Sequence, residues 1–325
     1  MTCDRCDECR KKKYNFCKFC GEPLHQEKKV IPVFAAIVTV FVAFILLFEL
    51  ITGWVKLPYL MDNASDAYVN LYYLSPIPEK LIEVSGAGLQ ALYILELVIV
   101  TASVGLCVRT LIRKFREKDR EFESITDNAL TENGSLNGLM FAFQMVLLII
   151  CTMMGIDMSA GDLGPTYQQM FSLMNASVYE EFLCRIVALG LPIMIVSLIL
   201  KKKETPFWRY LLGGFRFEKW MIIFVIFSAL LFALGHLGGW GTWKVIPTFV
   251  FGLVTAYLFM KYGIYATITF HFLTDFMLAE EWLLGSAGVV TLSVLALAFF
   301  SLPTVVIYGK KVKGFVKDFI KTEAQ

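Results

Sequence analysis

Long apolar stretches, each about the length of a membrane crossing and separated by short polar loops, set the pattern of this chain. Eight of them run near 31–53, 86–108, 138–157, 170–200, 220–237, 244–261, 263–281 and 286–308. A helix rising 1.5 Å per residue needs about 20 residues to cross roughly 30 Å of hydrocarbon. The pattern therefore predicts an all-α, polytopic membrane bundle of about eight transmembrane helices. The fourth stretch is too long for a simple span, which predicts a tilt or a break near Gly190-Leu191-Pro192, where proline removes a backbone donor. Only Lys261-Tyr262-Gly263 separates the sixth stretch from the seventh.

Composition supports this reading and excludes an ordinary soluble domain. Hydrophobic residues make up 57% of the 325 and charged residues 18%, against about 25% charged in an average soluble domain; mean hydropathy is +0.63. The net charge of +2 gives no reason to expect a nucleic-acid partner, because the basic runs flank apolar segments facing a lipid bilayer. Those runs also set an orientation. Basic clusters lie in the N-terminal segment (Arg10 to Lys29), after helix two (Arg109 to Arg120), after helix four (Lys201 to Lys219) and in the tail (Lys310 to Lys321). The loop near 54–85 carries instead Asp62, Asp66, Glu79 and Glu83. With eight spans all four basic clusters fall on one side, and both termini are expected to be cytoplasmic. The chain starts Met1-Thr2-Cys3 and stays polar for about 28 residues, so no cleavable signal peptide is expected.

Five of eight cysteines crowd the first 20 residues, a clustering that argues for metal rather than disulfides. Cys3-x-x-Cys6 and Cys17-x-x-Cys20 are two CxxC turns whose four sulfurs could close a tetrahedral zinc site; a register using Cys6 and Cys9 is the alternative. About 25 residues cannot build a core, so the metal would supply the folding energy. The stretch from Asn15 to Leu24 resembles the second knuckle of short zinc ribbons found at the ends of prokaryotic membrane and regulatory proteins, although Asp7 stands where glycine is usual in the first knuckle. The expected role is structural, and any protein partner of the ribbon is left open.

Three polar clusters interrupt the later apolar stretches. An ionisable group at bilayer depth is costly and usually functional. On helix four, Glu181 and Arg185 are four residues apart and can pair, while Glu180 points toward another helix, free to act as general base or acid. On helix five, Phe232 and His236 share a face; on helix seven, His271 and Asp275 do. The chain has three histidines, and two fall in these clusters.

Together the clusters resemble the three motifs of the CPBP family, the CAAX-protease and bacteriocin-processing membrane proteins: EExxxR, FxxxH and HxxxN or HxxxD, in that order on separate helices. Here they stand as Glu180-Glu181…Arg185, Phe232…His236 and His271…Asp275. The resemblance implies an intramembrane endopeptidase acting on prenylated proteins or peptides in the membrane. In that reading Glu180 and His236 activate water, His271 and Asp275 stabilise the oxyanion, and Glu181, Arg185 and Phe232 support the site. Asp275 raises a physical difficulty, since asparagine can donate a hydrogen bond to an oxyanion and an ionised aspartate repels it. Asp275 is then protonated, or orients His271, or the centre holds a divalent metal through Glu180, His236 and His271, with Asp275 as a further ligand or as a support behind one.

The expected organisation is a zinc ribbon at 1–27, two transmembrane helices and a cytoplasmic linker at 28–137, a protease-like core at 138–310 and a basic cytoplasmic tail at 311–325. Two other functions compete: a non-catalytic scaffold or immunity-type protein of the same fold, and a proton-coupled transporter, for which repeated halves would be usual and are not seen.

Overall fold

The computed structural model describes residues 30–75, 77–116, 127–158, 164–201, 205–277, 285 and 287–321. The four ribbon cysteines Cys3, Cys6, Cys17 and Cys20 lie outside the described residues. The elements are α1 (Val30–Val55), α2 (Leu57–Asn63), β1 (Tyr68–Ser75), β2 (Ile77–Ser85), α3 (Gly86–Arg116), α4 (Ala129–Met153) and α5 (Thr166–Ile199). They are followed by α6 (Phe207–Leu212), α7 (Ile222–Gly235), α8 (Val245–Lys261), α9 (Ile264–Phe276), α10 (Ala287–Ser301) and α11 (Val305–Lys321).

Among the described residues seven helices are long and apolar enough to cross a membrane. They coincide with seven of the eight predicted stretches. The remaining one, the seventh in order near 263–281, forms α9, which has 13 residues and lies in the middle of the bundle against α3, α4, α5 and α8. Nine of its residues are buried, on every face, the pattern of a helix enclosed by others rather than facing lipid. The lipid-facing belt is carried by outward side chains such as Val40, Phe44 and Leu47 on α1 and Ile223, Phe227 and Leu230 on α7.

Small residues bring the helices close, as packing without a hydrophobic drive between helices requires. A Cβ at Gly138 on α4 would meet Ser301 Oγ and the Leu297 carbonyl of α10, and one at Gly252 on α8 would lie 2.8 Å from the Ala229 Cα of α7. Buried polar pairs add orientation. Asn175 Nδ2 of α5 donates to the buried Glu96 carboxylate of α3 at 2.7 Å, and the hydroxyls of Thr39 (α1) and Thr131 (α4) lie 2.7 Å apart.

α5 is not broken at Gly190-Leu191-Pro192. It continues for 34 residues, and from Ala176 to Gly190 its turns widen to an i→i+5 register; the Leu191 N–H, for example, bonds the Ile186 carbonyl. A wide turn relieves the clash that a proline ring makes with the carbonyl four residues earlier, and such turns cluster at functional sites. This stretch carries Glu180, Glu181 and Arg185.

The segment near 54–85 is more than a loop. It contains an antiparallel hairpin, with Tyr68 opposite Ser85 and Ser75 opposite Ile77, and an irregularity between Leu71 and Tyr72. The run Tyr68-Val-Asn-Leu-Tyr-Tyr supplies aromatic and β-branched residues that favour strands. The hairpin packs on α5 and α7. The Gln168 side chain bonds both the N–H and the carbonyl of Tyr68, and the Tyr179 hydroxyl donates to the Tyr72 carbonyl at 2.6 Å.

The opposite end of the bundle is held by charge. The buried Glu132 carboxylate at the start of α4 accepts from Lys261 at the end of α8 (2.7 Å), Lys311 of α11 (2.6 Å) and the Tyr257 hydroxyl (2.9 Å); Lys261 also donates to Asp127 at 2.6 Å.

The contact at Gly252 yields a test. Gly252→Leu pushes α7 from α8 and is expected to destabilise the protein by about 1–3 kcal/mol through overpacking, read as a lower thermal midpoint in detergent. An unchanged midpoint would mean the two helices part freely.

Candidate active site

The three polar clusters converge. α5 carries Glu180, Glu181 and Arg185; Phe232 and His236 lie at the end of α7; His271 and Asp275 lie on α9. Adjacent residues on a helix diverge by roughly a quarter turn, and this splits the two glutamates. Glu181 turns inward and is fully buried, whereas the Glu180 side chain keeps 36% of its exposure.

Glu181 anchors a chain of polar contacts through three helices. Its Oε2 accepts from Arg185 Nε at 3.2 Å, and its Oε1 faces His271 Nδ1 at 3.1 Å. Arg185 is wholly buried and donates from Nη1 to the Ser228 hydroxyl of α7 at 2.9 Å; that hydroxyl donates onward to the Cys184 carbonyl at 2.6 Å. At the far end of the chain, His271 Nε2 faces Asp275 Oδ2 at 3.3 Å. Both ring nitrogens of His271 thus point at carboxylate oxygens, which accept and cannot donate when ionised. Both bonds are made when the ring carries both protons.

Phe232 fills the space between these groups. Its ring lies 4.8 Å from that of His236, 5.7 Å from that of His271 and 5.7 Å from the Arg185 guanidinium, and it stacks on Phe251 of α8 at 5.3 Å. The arginine over the ring face is a cation–π contact. Phe251 also packs edge-on against His271, 5.0 Å between centroids.

Glu180 and His236 form the second half of the site. His236 Nδ1 lies 2.8 Å from the Phe232 carbonyl. A carbonyl only accepts, so Nδ1 carries the proton and a neutral His236 keeps a lone pair on Nε2. That nitrogen lies 3.8 Å from Glu180 Oε2. The oxygen is buried and has no hydrogen-bond partner among the described residues. Two acceptors held slightly beyond direct contact can share one water, which would donate one proton to each and leave its oxygen lone pair free.

Among the described residues, no group of three or more His, Cys, Asp and Glu side chains is gathered to hold a metal ion. His271 turns both nitrogens to carboxylates, and His236 spends one on its own backbone.

The family model described as type II CAAX prenyl endopeptidase, Rce1-like, matches residues 163–277, about a third of the chain. This segment is similar to that family. The match begins just ahead of α5 and ends just past α9, so it contains all three clusters; α1, α3 and the hairpin lie outside it. No curated protein and no solved structure matches the chain.

Several contributors were not picked out from the sequence. Ser228 and Phe251 look like ordinary residues of apolar helices, and only packing reveals what they touch. Glu49 and Glu96 are buried carboxylates in apolar helices, visible in the sequence as polar exceptions. Tyr179 precedes the glutamate pair and ties it to the hairpin.

The buried pair yields the second test. Arg185→Met leaves Glu181 without its counter-charge, at an expected cost of about 3–5 kcal/mol. Ser228→Ala removes the two hydrogen bonds of that hydroxyl, at about 1–2 kcal/mol. Thermal denaturation in detergent should rank the two in that order; equal or negligible losses would show that the pair does not hold the site.

Proposed function

We propose that the chain is an intramembrane endopeptidase that hydrolyses peptide bonds of lipidated or membrane-associated substrates, with Glu180 and His236 activating water. One observation carries this reading: an unpartnered, buried carboxylate oxygen and an imidazole nitrogen of fixed tautomer face each other 3.8 Å apart. A water held between them is polarised by both. As its oxygen attacks the scissile carbonyl carbon, a proton passes to Glu180; the carboxylic acid so formed then protonates the leaving amine as the C–N bond breaks. Such general-base assistance contributes about 10²–10⁴-fold to rate. Glu181, Arg185 and Phe232 hold α5, α7 and α9 in the register that keeps the two acceptors apart but near.

The test is cleavage of lipidated and unlipidated peptides by purified protein in detergent. Wild type should cleave, and Glu180→Gln, nearly the same in shape, should lose at least about 100-fold in kcat while keeping its thermal midpoint. A chelator should leave activity intact in a variant whose N-terminal cysteines have been replaced; loss of activity there would point to a metal at the centre. Failure of folded wild type to cleave a broad peptide set would favour the non-catalytic scaffold.

The reading includes an orientation. The basic clusters argue that both termini are cytoplasmic, with the Glu132 end of the bundle on that side and the hairpin and Glu180 toward the other. α8 alone sets the two ends about 25 Å apart, 17 residues at 1.5 Å each. A cysteine placed on the exposed hairpin, Glu83→Cys, should react with a membrane-impermeant maleimide in intact cells; labelling only after permeabilisation would invert the orientation. The reading also keeps a structural zinc at Cys3, Cys6, Cys17 and Cys20, argued from the two CxxC spacings.

A further inference from the structure

The Glu132 end of the bundle holds a cavity of about 760 Å³ that the proposed chemistry does not use. It lies between the early turns of α1 and α4, the last turn of α8 and the last turns of the span Ala287–Gly314. Four membrane helices start or stop there, so the cavity sits where hydrocarbon gives way to headgroups. Among the described residues its charges do not balance: Lys261, Lys310 and Lys311 line it against Asp127 and Glu132, three cations to two anions. Both carboxylates are already engaged, Glu132 by Lys261, Lys311 and the Tyr257 hydroxyl, and Asp127 by Lys261. One positive charge is left over, and a phosphodiester, with one negative charge, would close the sum. Lysine ammoniums carry three donors each, and Lys261 spends two on these carboxylates.

A second feature says what would carry that phosphodiester. Along α1, Val33, Ala36, Ile37, Val40 and Phe44 line an open, apolar groove. Ala36 belongs to the groove and its neighbour Ala35 to the charged cavity, so the two adjoin on one helix. From Val33 to Phe44 the groove advances 11 residues, about 16 Å at 1.5 Å each. That is close to the hydrocarbon depth of one leaflet, half of roughly 30 Å. A soluble phosphate would use the cavity alone, whereas a groove of this length beside it suits an acyl chain. Leu302, Val305, Val306 and Val312 are also exposed around the cavity, apolar surface that lipid rather than water would cover.

We propose that the cavity and groove bind one anionic phospholipid, its phosphodiester held by Lys261, Lys310 and Lys311 and an acyl chain laid along α1. Basic pockets between membrane helices recognise anionic headgroups in this way. Tyr257 and Tyr308 line the same cavity, at the level where amphipathic rings favour the membrane interface. Lys311 Nζ lies 5.0 Å from the Tyr308 ring centre and 3.4 Å from the Tyr257 hydroxyl, so its ammonium is already held beside the space the phosphate would fill. The lipid would complete the charge cluster that joins α4, α8 and α11.

The experiment adds phosphatidylglycerol, phosphatidylcholine or inorganic phosphate to the delipidated full chain in a non-ionic detergent. It reads the thermal midpoint and, by native mass spectrometry, the lipid retained. Phosphatidylglycerol should raise the midpoint saturably, as a ligand of the folded state does, with one molecule retained per chain. Phosphatidylcholine, whose headgroup carries its own cation, should bind at least about fivefold more weakly, the factor for one charge near a membrane surface. Lys310→Gln removes the surplus charge and should weaken phosphatidylglycerol binding by a similar factor. Phe44→Ser, in the groove, should weaken it by about threefold or more. Both side chains are exposed, so each variant should keep the lipid-free midpoint of wild type. Equal binding of the two lipids, or phosphatidylglycerol affinity unchanged in either variant, overturns the proposal. So does a midpoint raised as far by inorganic phosphate as by phosphatidylglycerol, which would make the cavity a site for a soluble anion.

Discussion

A guanidinium buried at the centre of an apolar helix bundle must be neutralised and hydrogen-bonded where it stands, and the architecture of this protein follows from how Arg185 meets that requirement. Removing a charge from water costs several kcal/mol even after relaxation, and Arg185 has no exposed surface at all. Glu181, one turn away on the same helix, supplies the counter-charge. Ser228 brings in α7, Phe232 covers the guanidinium from that same helix, and the second oxygen of Glu181 brings in α9 through His271. Each of these groups would be an expensive intruder on its own. Linked, they fix the mutual rotation of three helices, which apolar packing between lipid-like surfaces fixes poorly.

That fixed rotation is what gives Glu180 its position. Because Glu181 is committed inward, its neighbour cannot join the same network and is turned to the end of α7. There the His236 ring, tied to its own helix by the Phe232 carbonyl, presents its second nitrogen. Phe232 takes part twice, through its ring under Arg185 and through its backbone under His236. The widened turns of α5 coincide with this region, so one stretch absorbs Pro192 and re-aims the side chains that carry the chemistry. The hairpin, tied to Tyr179 and Gln168 of the same helix, couples a segment outside the family match to the residue next to Glu180.

Much of this was legible before any coordinates. The apolar stretches mark the helices because the bilayer demands both length and composition, and the six charged or imidazole residues of the site betray themselves by sitting where charge is expensive. The Glu181–Arg185 and His271–Asp275 pairs follow from four-residue spacing alone. Spacing on one helix says nothing about contacts between helices, so the link from Glu181 to His271 and the roles of Ser228 and Phe251 were invisible. α9 reads in sequence as one more span, because a core helix enclosed by others and a lipid-facing helix are both apolar. The hairpin was hidden by charges such as Glu79, Lys80 and Glu83, which resemble any polar loop between spans.

The Asp275 position shows how the residue chosen within a motif sets the contacts of its neighbours. In the pattern that the clusters resemble, asparagine or aspartate can stand four residues after the second histidine, and the two differ by the presence of a donor. Here the carboxylate and Glu181 face His271 from both sides, which makes that histidine a link between α5 and α9. Charge balance among buried groups, as much as the identity of any one motif residue, governs which of these side chains can share the interior of a helix bundle.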